Sequence, residues 1–108
     1  MTIKAEDDAR SQLMQELGSI GWAELVRHFA RGVVINVSQR VDIVDAALCL
    51  ARDEAAQFQS WVDEDLVRRA SDDDARDWTS REPEFLCVVI APWVIVQEKI
   101  DATNRTVH

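Results

Sequence analysis

Along this chain, stretches whose apolar residues recur every three or four positions alternate with short runs in which they are contiguous. Residues 4 to 17 show the first pattern. Ala9, Leu13 and Leu17 are spaced by four, Met14 lies beside them and Gly18 ends the period, which predicts a helix. Ser19 to Gly21 read as a short link. In "WAELVRHFAR", residues 22 to 31, Trp22, Leu25, Val26, Phe29 and Ala30 make one continuous apolar face. Arg27, His28 and Arg31 gather at the end of that helix, where positive charge complements the macrodipole. Gly32 follows, the residue best able to take the left-handed conformation that closes a helix.

"VVINVS", residues 33 to 38, is β-branched and predicts a strand. Asp42, with Asp45 three positions on, has the form of a helix start, and "IVDAALCLAR" behind it carries an apolar face broad enough to be mostly buried. Asp53 is placed to cap a further helix over 54 to 64, with Phe58, Trp61 and Val62 on it. Leu66 to Ala70 predict a short strand. Ser71 caps "DDDARDW", which sets three acids in a first turn that favours them, and this helix ends before Pro83. The last apolar segment is "FLCVVIAPWVIV", residues 85 to 96. It falls short of the ~20 residues a membrane-spanning helix needs, and it is rich in Val and Ile. It predicts a strand buried on both faces and bent at Ala91-Pro92, because proline has no N–H for a ladder and belongs at a bulge, bend or edge.

The predicted order is α-α-β-α-α-β-α-β. That is an α+β fold, a small sheet of about three strands covered by helices on at least one face. Residues 1–100 form a single compact domain and the polar residues 101–108 a frayed tail. With 108 residues, 47% hydrophobic and 30% charged, the chain has a globular composition and enough length for one core without metal or disulfide staples.

Twelve Lys and Arg against twenty Asp and Glu give a net charge of −8. Such a field repels phosphate backbones and anionic lipid surfaces, so neither nucleic acid nor a membrane is an expected partner. The N-terminal residues lack the apolar core of a secretory signal, which makes the cytoplasm the expected compartment. Cys49 and Cys87 both sit in apolar runs, where a thiol behaves as a small hydrophobe, and predict two reduced, buried cysteines.

"HFARGVVINV", "SDDDARDW" and "VVIAPWVIVQE" together resemble a small bacterial family of proteins of unknown function, domain-of-unknown-function family 2288. The resemblance spans about residues 12 to 98 and implies a single compact, cytoplasmic bacterial domain. It brings no activity, cofactor or site residue with it.

Candidate chemistry is sparse. His28 could serve as a general base, but no nucleophile lies near it in sequence, and a polar residue at a helix end has the same appearance. A Cys–His pair is a spatial rather than a sequential neighbourhood and stays open. No spacing of Cys and His suggests a metal, and Asp72, Asp73 and Asp74 on one helical turn point about 100° apart, so they do not converge. No cofactor, metal or catalytic residue is assigned. Arg31-Gly32 and Arg68-Arg69 are the best anion-binding candidates, set against pairing with the chain's own acids. Of the four tryptophans, Trp22, Trp61 and Trp78 read as core, whereas Trp93, after Pro92, suits an interface as well.

The sequence thus favours a non-enzymatic protein-interaction module that forms a homodimer, with Pro92 and Trp93 at the interface. The alternative is a module or enzyme for a small anionic ligand, with a pocket around His28, Arg31 and Arg69.

Overall fold

The computed structural model describes residues 5 to 99, with side chains from residue 9 onward. The element order is α1 (Ala5–Glu16), β1 (Gly18–Gly21), α2 (Trp22–Ala30), β2 (Val34–Val37), α3 (Ile43–Ala51), α4 (Ala55–Asp63), β3 (Val67–Arg69), α5 (Asp72–Arg81), β4 (Glu84–Ile90) and β5 (Trp93–Glu98). One mixed sheet, in the order β1-β4-β5-β2-β3, runs through the middle. β1 pairs antiparallel with β4, β4 with β5 and β2 with β3, while β2 and β5 run parallel. β1 and β2 therefore point the same way, and α2 carries the chain back between them, as parallel strands require.

Alternation along the strands feeds two helical layers. Ile35, Val37, Val67, Val88 and Ile95 pack with Leu13 of α1 and with Ile43, Val44, Ala46 and Ala47 of α3, while Phe58 and Trp61 of α4 close the same side. On the opposite face Val34, Phe85, Val94 and Val96 pack with Trp22 and Leu25 of α2 and with Trp78 of α5. There the aromatic rings step inward: Trp22 meets Trp78 at 5.5 Å between centroids, and Trp78 meets Phe85 edge-on at 4.9 Å. Such pairs contribute about 0.5–1.5 kcal/mol each beyond their burial. Their polar atoms are satisfied, since Trp22 Nε1 donates to Thr79 Oγ1 at 3.0 Å and Trp78 Nε1 to Glu98 Oε2 at 3.1 Å.

Local chemistry fixes the connections. At the end of α2, Gly32 lies at φ 76°, and the N–H groups of Gly32 and Val33 donate to the carbonyls of Phe29 and His28. This is the Schellman closure that the "ARG" sequence predicts. Asp42 caps α3 by accepting from the Val44 N–H at 2.8 Å. Ser71 and Asp74 form a full capping box on α5. The one buried polar side chain among the described residues, Gln97, donates to the carbonyls of Ser38 and Val41 at 2.8 and 2.7 Å and so ties β5 to the loop that opens α3.

The α+β class stands, but the sheet has five strands rather than about three and the element order differs. The link expected from Ser19 to Gly21 lies inside β1, which pairs with Glu84 to Cys87. "FLCVVIAPWVIV" is a hairpin rather than one bent strand. Ile90 pairs with Trp93, and Ala91-Pro92, with a cis peptide bond, makes the turn between them. The run is apolar throughout because β4 and β5 are interior strands with helices on both sides. It is not uniformly buried, however: Val88 is 1% exposed and its neighbour Val89 57%. Asp53 takes a left-handed conformation, and Glu54 occupies the cap position of α4 without a side-chain bond. The frayed tail expected at 101–108 lies outside the described residues.

Candidate functional site

The anion-site candidates fall in different layers. His28 and Arg31 sit at the C-terminal end of α2, on the face built around Trp22 and Trp78. Their backbone carbonyl end carries partial negative charge, which suits cations and disfavours a bound anion. Arg69 lies on β3 two residues from Val67, hence on the opposite face, where its guanidinium carbon rests 5.4 Å from the centre of the Trp93 ring. Arg68, between them in the strand, turns to the α5 side and grips Asp74 with two hydrogen bonds of 2.6 and 2.9 Å. This is the pairing with the chain's own acids that the sequence offered as the plainer reading.

Asp74 is also the residue that makes the three-acid turn structural. Burial alone would raise its carboxyl, but the hydrogen bonds from Arg68 and from the Ser71 N–H outweigh burial and hold it below the ordinary carboxylate range. Asp73 pairs with Arg76 on the surface. Among the described residues no three His, Cys, Asp or Glu side chains gather as a metal ion would require.

Both thiols are free. Cys49 is buried and donates to the Glu54 carbonyl at 3.3 Å; burial, with the Glu54 charge, pushes its thiol up. Cys87 is half-buried rather than buried, and burial raises it too. A raised thiol is a poor nucleophile at neutral pH. No hydrogen bond joins His28 to either cysteine among the described residues.

What the structure does bring together is one end of the sheet. The β4–β5 hairpin turns there, with Ala91 and Pro92 exposed and Trp93 half-buried beneath Arg69. β1 starts at Gly18, opposite Cys87, so Val88 to Ile90 run on with β5 on one side and no described strand on the other. An open depression of about 340 Å³ lies beside this free edge, lined by Gly18, Cys87, Val88 and Val89 and rimmed by Glu16, Glu24 and Arg27. Sequence pattern could not find it, because Val89 has the same apolar neighbours as the buried Val88. The two side chains point to opposite faces of β4, and where the helices of each face reach decides which of them is covered.

The fold and this sheet end define a small three-layer domain with helices on both faces of a mixed sheet, and the chain belongs to the family of proteins of unknown function DUF2288, whose profile matches residues 8–98. The match begins somewhat before the segment whose residues carried the resemblance. The chain is also similar to PA1075 from Pseudomonas aeruginosa, known from its NMR solution structure, with 31% sequence identity, a TM-score of 0.77 and 94% of each chain covered. No curated protein matches it.

Proposed function

We propose that this domain works by protein contact and that its partner is a second copy of itself, joined at the sheet end where β4 and β5 turn. The observation that carries this is Val89, a β-branched residue at 57% exposure on an interior strand whose edge pairs with no described strand at that point. An exposed strand edge is a template for pairing, and proteins that leave one open use it or blunt it. The true edge strands here are blunted: β1 is only four residues and contains two glycines, and β3 is three residues with two arginines. The open stretch at Val88 to Ile90 has neither protection. Pro92 and Trp93 flank it at the same end.

The pocket reading, with His28, Arg31 and Arg69 around a small anion, has no comparable support, since Arg69 lies across the sheet from the other two. A dilution series of amide spectra tests the dimer reading. Signals of Val88 to Trp93 should move with protein concentration while those of α4 stay fixed. Shifts confined to α4, or no shift at any concentration, would contradict it.

A further inference from the structure

Resting on that self-association, we infer that the interface is isologous and that its register is set by Glu24 of one copy against Arg27 of the other. Both residues rim the depression beside Val89. Neither has a hydrogen bond or ion pair among the described residues. Arg10, Arg68, Arg76 and Arg81 hold carboxylates of this chain, while Arg27 shares with Arg31, Arg40 and Arg69 the lack of one among the described residues and differs from those three in standing at the rim of the depression. In a chain of net charge −8, with carboxylates in excess, a rim arginine without one leaves a position open for an acid from outside.

The two charges are three residues apart on α2, and a two-fold axis beside the depression reverses the order of the second helix. Arg27 then faces Glu24 of the second copy, and Glu24 faces its Arg27. The same axis sets the free edge of β4 antiparallel to its own copy and brings the two Val89 side chains together on one face. An isologous contact demands a patch complementary to itself; Arg27 and Glu24 meet that demand on α2, while Glu16, the third charge of the rim, belongs to α1 and stands outside the pair. A partner of uniform charge would meet one of the two residues with repulsion.

Charge reversal tests this by sedimentation at about 0.15 M salt, where the Debye length of about 8 Å screens the overall repulsion of two acidic copies. Arg27→Glu should raise the dimer dissociation constant at least about tenfold, because like charges then meet twice across the axis. Glu24→Arg should do the same. The double variant Glu24→Arg/Arg27→Glu should return to within about threefold of the natural protein, since the pairs are restored with signs exchanged. Circular dichroism should show all three folded. A natural dimer indifferent to both single reversals, or one that the double variant fails to rescue while folded, would overturn the inference and leave self-association standing. A natural protein that is monomeric throughout would overturn both.

Discussion

Neighbouring residues with the same chemistry have opposite fates here, and the difference is measurable. The Val88 side chain is sealed against the cluster of α1 and α3, whereas that of Val89, on the other face of β4, stands exposed at the depression. Val88→Asp should unfold the protein, because an unpaired buried carboxylate costs several kcal/mol, a large share of a small domain's stability. Val89→Asp should cost no more than about 1 kcal/mol, the scale of strand preference alone. Urea melts of the two variants check this, and equal destabilisation would mean that the depression is closed in solution. Gly32 offers a second test. A Cβ added there meets no atom within 4 Å, so only its backbone, at φ 76°, resists substitution. Gly32→Val should therefore lower stability by more than about 1 kcal/mol through left-handed strain.

Asp74 gives the residue scale a pH signature. Its carboxyl titrates below the ordinary range in the folded chain, so folding gains stability from it above the unfolded value near 3.9 and loses that gain as pH falls through the lower folded value. Asp74→Asn should be less stable than the natural protein at pH 7, and the gap should narrow steadily below about pH 4. Thermal melts at pH 7, 4 and 3 read the gap directly. A gap that stays constant with pH would show that the Arg68–Asp74 pair is not what depresses the titration.

At the scale of elements, the helices were legible because each has a period and a stop. α2 carries its apolar stripe and ends at Gly32, and α5 opens with Ser71 and Asp74 in a capping box. The strands were less so. β1 is Gly18-Ser19-Ile20-Gly21, a composition that strands avoid, and it forms because β4 offers a pairing edge rather than from any preference of its own. The hairpin hid for a different reason. Its turn is Ala91-Pro92, without the Asn-Gly or Asp-Gly that marks most two-residue turns, and both flanking strands are apolar on both faces. A run of that kind cannot show alternation, and alternation is the signal from which strand ends are read. Of the candidate site residues, the sequence singled out Arg31, Arg69 and Trp93 but not that Arg69 would stack on Trp93 from a strand two lanes away. That contact should be worth about 0.5–1 kcal/mol in a double-mutant cycle of Arg69→Ala and Trp93→Leu. Strictly additive losses would contradict it.

At the scale of the whole molecule, the sheet is roofed on both faces, its two edge strands are short, and one stretch of interior strand is left open among the described residues. No helix among the described residues is long and apolar enough to cross a membrane, which leaves the long apolar run to this sheet. Several of the protein's charges hold its own helices: Arg10 on Asp42 and Asp45, Arg68 on Asp74, Arg81 on Asp77 and Glu98. Met14, Val26 and Val89 are the large apolar residues left exposed among the described residues, and the open edge with Val89 at its centre is the surface we propose for contact. Sedimentation equilibrium over a range from micromolar to millimolar protein tests that reading most directly. The natural chain should pass from the monomer mass to twice that mass with rising concentration, and the folded Val89→Asp variant should stay at the monomer mass throughout. A natural chain that remains monomeric at every concentration, or a Val89→Asp variant that dimerises equally well, would contradict it.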